Sequence, residues 1–339
     1  MVVKKNDRIF YACQAVIISP TGYDANAGTI MRGLQSIGMN SNFTLDQVFE
    51  MGQLEIYENI EDVADVEVSL EKVIDGETLI FMAASDGYCK TDLVAAVKNR
   101  SDVFVGIYDD ATSNATGIAR NVCFNSGMYI SSVSYSYSVD GSATESVSLV
   151  GNERFWNTYD IGGSKSPYTQ YGTPVTAFGS DTPISGVVRR TNIDLSASTL
   201  PEIVESQKGD LTGDNNFHIQ SISVSADFGQ ENILELGRFG PYAKFVSFPI
   251  EVSSEFEVIA TSGDLKNVSG SGPNLQDQPI IIKDSAGTVL NLGSKNKLSS
   301  ISYSGGDTGG GNATITYSFT NFNNLLVDDG SGFTQVSGS

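Results

Sequence analysis

The sequence is short of positive charge. Its 339 residues carry 20 Lys and Arg against 40 Asp and Glu, a formal charge of −20. Nucleic-acid grips neutralise phosphates with Lys and Arg, so this balance excludes one. Cysteine is scarce as well. Cys13, Cys89 and Cys123 form no CxxC pair, and an odd count supplies neither a zinc knuckle nor a complete disulfide framework. They read as buried free thiols, which points to a reducing compartment. The one histidine, His218, has no GxSxG elbow to serve, and histidine-based metal sites need more than one such ligand. No apolar run approaches the ~18 residues of a membrane span, so no membrane insertion is expected. The run IFYACQAVIIS follows Lys4, Lys5 and Arg8 like a leader, yet it ends in Ile17, Ile18, Ser19 and Pro20. It lacks a small-residue cleavage site, so it is not expected to be a cleavable leader.

What is present suffices for a core. Forty per cent of the residues are hydrophobic, while 35 glycines and only 18% charged residues imply many turns and little exposed helix. At roughly 150 residues per domain, the length suggests about two domains. Internal comparison supports that number. Shifted by 185 positions, LQSIGMNSNFTLDQVFEMG (Leu34 to Gly52) faces IQSISVSADFGQENILELG (Ile219 to Gly237) without a gap. Phe43 meets Phe228, Glu50 meets Glu235 and Tyr57 meets Tyr242; one residue of slippage later, VEVS (66–69) meets IEVS (250–253). Near the end of each copy SSVSYS (131–136) pairs with SSISYS (299–304) at a shorter offset, so the first copy holds extra residues in its middle.

The fold expected is mainly β: two tandem homologous β-sandwich or barrel domains, the first with a short α-helix. The bounds are 1–151 for the first copy, 152–185 for a linker or extended arm rich in Gly, Ser, Pro and Thr, 186–328 for the second copy and 329–339 for a mobile tail. VADVEVSLEKVI and FPIEVSSEFEVIA alternate like half-buried strands. VSYSYSVDGSATESVSLVG reads as a hairpin turning at Asp140-Gly141, and ISYSGGDTGGGNATITYSF as its counterpart. The extra segment SDGYCKTDLVAAVKNRSD reads as an amphipathic helix near Thr91 to Arg100, capped by Thr91 or Asp92, with Leu93, Val94 and Val97 as its apolar stripe.

No constellation for catalysis stands out. Asp210, Thr212, Asp214 and Asn216 alternate like the start of a calcium loop, but its sixth and twelfth positions are Asn215 and Ser221 instead of Gly and an acid. A polar turn accounts for them better. Gly305 to Gly311 opens a strand and has no Lys, so it is a hairpin loop rather than a phosphate loop. Asp109-Asp110 could serve a carboxylate pair, yet adjacency carries little weight among forty acids. The chain is expected to be no enzyme, with no catalytic, cofactor-binding or metal residues and no cofactor.

The acidity is shared between the copies. Residues 1–185 hold 23 acids and 11 bases, and the remainder 17 and 9, for −12 and −8. Solubility is one account. A surface that repels phosphate is the sharper one.

The blocks that carry the duplication resemble bacteriophage tail tube proteins. They are LDQVFEMGQLEIYENIEDVADVEVSLEKVIDG, LELGRFGPYAKFVSFPIEVSSEFEV and the two Ser-rich hairpins, spread over well over half of the chain. The resemblance implies a virion structural protein of the tail, made in the host cytoplasm. Its tube domains close into rings whose inner strands form a β-barrel around a lumen. For a duplicated subunit it implies trimeric, pseudo-hexameric rings stacked into a conduit for genome ejection. The implied partners are the tape measure, tail terminator and baseplate proteins, with DNA passing through unbound. On this reading the lumen-facing acids come from Glu55, Glu58, Glu61, Asp62 and Glu67, with second-copy counterparts around Glu251 and Glu255. Alternation allows only every second one to face the same way. The linker and tail are the candidates for contacts between rings. The alternative class is a secreted tandem β-sandwich binding module, adhesin-like, which a leader and paired cysteines would favour.

Overall fold

The computed structural model describes residues 9–21, 28–85, 90–108, 117–119, 121–158, 175–176, 186–205, 218–260, 275–305 and 311–328. The first half supplies β1 (Gln14–Pro20), β2 (Leu34–Asn42), β3 (Leu45–Phe49), β4 (Ile56–Glu61), β5 (Asp65–Val73), β6 (Ser101–Ile107), β7 (Asn121–Ser138), β8 (Thr144–Gly151) and β9 (Glu153–Thr158). The second supplies β10 (Ile219–Asp227), β11 (Gln230–Ile233), β12 (Ala243–Val246), β13 (Glu251–Ile259), β14 (Lys297–Ser304) and β15 (Thr314–Phe322). The fold is mainly β, as expected, and every pairing named below is antiparallel.

Alternation decides most of these strands. In β5, Val66, Val68 and Leu70 are buried while Asp65, Glu67 and Ser69 are exposed. In β13, Val252, Phe256 and Val258 are buried between Glu251, Glu255 and Glu257. Such strands can lie only on a sheet with one covered face. That sheet runs β2-β5-β8-β7-β10-β13-β15-β14. Both expected hairpins are present in it, as β7–β8 and β14–β15.

The order repeats. The first four strands, β2-β5-β8-β7, come from the first half, and β10-β13-β15-β14 from the second, each successive strand standing where its sequence counterpart stands. The registers repeat too. Ser36 pairs with Glu71 and Ser221 with Glu257, each after a bulge, between Leu34 and Ser36 in one half and Ile219 and Ser221 in the other. A second bulge recurs between Ile130 and Ser132 and between Leu298 and Ser300. The halves meet where β7 pairs with β10, Ser134 opposite Ser225. One continuous core underlies both, joining Val68, Leu70 and Phe81 to Val224, Phe256 and Tyr317. Among the described residues no sheet closes into a barrel: the outer strands β2 and β14 each pair on one side only.

The long strand β7 belongs to two sheets. Its first part lies between β6 and β9, and β6 continues to β1. Its second part lies between β8 and β10. The change falls at Gly127, whose φ of 60° suits glycine, and its N–H donates to Asp102 Oδ1 at 2.8 Å. Residues 153–158, expected as linker, are strand β9, because Phe155 has the aromatic ring of Phe124 to cover, centroids 6.3 Å apart. Of the remaining arm, 159–174 and 177–185 lie outside the described residues, as do the tail 329–339, Asp210 to Asn216, Asp109-Asp110 and Cys89.

The expected helix over 91–100 is much shorter. Lys90–Asp92 is a strand paired with Leu326–Asp328, and only α2 (Leu93–Ala96) is helical. Its signals were placed correctly: Asp92 caps it, Oδ1 accepting from the Val94 N–H at 3.2 Å, and Leu93 and Val97 are buried. Backbone pairing with the second half wins over helix extension. A second short helix, α1 (Ile80–Ala84), is wholly buried and has no polar face to betray it.

Candidate functional site

The covered face of the long sheet holds the core, and the uncovered face is a carpet of hydroxyls and carboxylates. One row across it reads Ser36, Glu71, Ser146, Ser134, Ser225, Ser253, Thr320 and Lys297, one residue from each strand. The next includes Thr144, Ser136, Ser223, Glu255, Ser318 and Ser300, and a third Ser138, Ser221, Glu257, Thr316 and Ser302. Serine hydroxyls serve the carboxylates in place of cations. Ser36 donates to Glu71 at 3.2 Å, Ser221 to Glu257 at 3.1 Å and Ser318 to Glu255 at 3.3 Å. Lys297 stands at the β14 edge, 3.7 Å from Asp277. A face this polar and net negative offers phosphate little counter-charge.

The structure divides the candidate acids. Glu67, Glu251 and Glu255 lie exposed on this face. By register Glu251 corresponds to Asp65 and Glu255 to Ser69, so Glu67 has Ser253 as its counterpart. Glu58 and Glu61 lie instead on the separate β3–β4 hairpin, with Glu55 in its connecting turn and Asp62 just after it. The Ser-, Thr- and Gly-rich hairpins are expected from the sequence to form or abut the lumen, but the individual serines and threonines of this face are not singled out there. Their signal was in the sequence as strict alternation through SSVSYSYS, SISVSAD and TITYSFT.

The opposite face conceals a cluster of charge in the first half. Glu145 on β8 is buried and accepts from the Ile80 N–H at 2.6 Å, the Phe81 N–H at 3.1 Å and the Tyr135 hydroxyl at 3.1 Å. It thereby caps α1. Burial raises its pKa, against the lowering effect of those bonds and of Lys72. Burial, with Glu145 beside it, also holds Tyr135 well above the usual phenol range. Lys72, paired across the strands with Glu145, bonds Asp75 at 2.7 Å and the Arg32 carbonyl at 2.8 Å. The second half puts Ile315 and Val258 at the positions of Glu145 and Lys72. Cys123 and Cys13 are buried free thiols, and burial pushes Cys123 up to about 11. Among the described residues no cluster of three metal-ligating side chains occurs, and no helix is long and apolar enough to cross a membrane.

No protein-family model matches the chain, and no curated protein matches it. Among solved structures it is similar in part to a chain of the cryo-EM structure of the anti-feeding prophage baseplate, six-fold symmetrised. The identity is 7% and the TM-score 0.33, covering 46% of this chain and 100% of that one. A likeness of that degree assigns no activity or partner.

Proposed function

We propose that the chain is a structural subunit of a phage virion, the tail tube protein, whose copies join head to tail into rings that stack as a conduit for DNA. The observation that carries this is the repeated sheet: two four-strand units joined through β7 and β10, with edges at β2 and β14 that no described strand pairs. Unpaired edges invite another strand. A heterologous joint of this kind closes into a ring or runs on as a filament. Repeating the internal joint between copies sets Ser302 opposite Asn40 and Tyr303 opposite Met39, as Ser134 faces Ser225 and Tyr135 faces Val224. The half-exposed Ile301 and Met39 and the exposed Tyr303 then gain cover on the apolar side, while serines and Asn40 extend the polar face. On this reading the polar face lines the lumen, three duplicated chains make a pseudo-hexameric ring, and no catalysis is involved.

Negative-stain electron microscopy of the purified protein tests the reading. Rings or hollow tubes are expected. Dispersed monomers at high concentration would overturn it.

A further inference from the structure

Each half projects a hairpin between its first and second sheet strands, and the two have different fates. In the second half this is β11–β12, and it is fastened to the first half. Phe228, just before it, is 0% exposed, stacks on Phe81 at 6.4 Å between centroids and donates its N–H to the Ser131 carbonyl at 2.8 Å. The Gln230 amide donates to the Ile130 carbonyl at 2.8 Å, and Lys244 lies 4.0 Å from Asp65. A cleft of about 500 Å³ between hairpin and first half is lined by residues that include Tyr129, Gly127 and Tyr242.

The first-half hairpin β3–β4 has the identical register: Gln47 pairs with Asn59 as Asn232 pairs with Lys244. Among the described residues nothing buries it. Phe43, the counterpart of Phe228, is 75% exposed, and Met51 and Leu54 at the tip are fully exposed. Its charge differs as well. Residues 45–61 hold five acids and no base, whereas 230–246 hold two of each. The surface that would receive it differs in the complementary sense. By the registers of β7 and β14, Lys297 replaces Tyr129, and Lys295 stands where the first half has Gly127.

We propose that the β3–β4 hairpin is a clasp for the second half of another copy of this chain. Phe43 enters that copy as Phe228 enters the first half, and Glu55 and Glu58 lie against its Lys295 and Lys297. The inference rests on the head-to-tail joint and adds to it a second contact, apolar at its root and ionic at its flank. The ionic part makes the joint between chains sensitive to salt.

Sedimentation at stepped protein concentrations, at low and high salt, tests the clasp. Phe43→Ser leaves an exposed site, so its circular dichroism should match wild type. It should raise the concentration needed for assembly at least tenfold. Glu55→Lys with Glu58→Lys should do likewise, most strongly at low salt, and adding Lys295→Glu with Lys297→Glu should restore assembly. If wild type forms rings while Phe43→Ser and the charge reversals assemble as wild type does, the clasp is wrong and the ring reading stands. If charge reversal weakens assembly and the double exchange fails to restore it, the Glu–Lys pairing is overturned. If wild type forms no assemblies, both fall.

Discussion

Glu145 shows how much one buried carboxylate can determine. Its oxygens take two backbone N–H groups and a phenol. Glu145→Ala should therefore cost about 1–3 kcal/mol, read from urea unfolding, because those donors are left buried and unmatched. A folded-state pKa raised above the unfolded value stabilises most below the unfolded value and loses that contribution as pH rises through the folded one. Relative to Glu145→Gln, which cannot ionise, wild type should lose stability as pH rises from about 4, the unfolded carboxyl value, through the raised folded one. A constant difference across that range would contradict the account. Cys123 gives a second residue-scale expectation. With its thiol pushed up to about 11 and buried, it should resist iodoacetamide at pH 7.5 in the native protein and react after denaturation, read on its own peptide by mass spectrometry.

Among elements, those whose pattern answers to one covered face were legible. β5, β13 and both Ser-rich hairpins could be read because side chains alternate strictly and the turns carry Gly or Asp. The helix over 91–100 was legible in its cap and stripe and not in its length, since that depended on Leu326–Asp328, far along the chain. β9 was hidden because its pairing partner is the first part of a strand whose second part belongs elsewhere. The acids of the β3–β4 hairpin were placed with those of the sheet because spacing alone cannot say that the chain leaves the sheet at Asn42. Gly127 marks the handover in β7. No atom lies within 4 Å of a Cβ built there, so Gly127→Ala meets backbone strain alone. It should cost about 1 kcal/mol in urea melts, and Gly127→Asn less.

At the scale of the whole molecule, the acids divide by place, and the proposed function gives each place its own test. Glu67, Glu251 and Glu255 on the polar face should matter to DNA passage, and their joint replacement by Lys should leave rings visible by microscopy while impairing ejection. Normal ejection from the triple variant would remove the polar face from the channel. On the proposed reading the −20 charge is shared between a channel wall and a clasp.

β7 has a mechanical consequence. Eighteen residues of unbroken strand span about 60 Å, and the same backbone is a member of both sheets. A pull on the β1–β6 sheet reaches the long sheet through covalent bonds, with no loop to stretch and no interface to slide. Load arriving at one layer is carried by the other as by a shared beam.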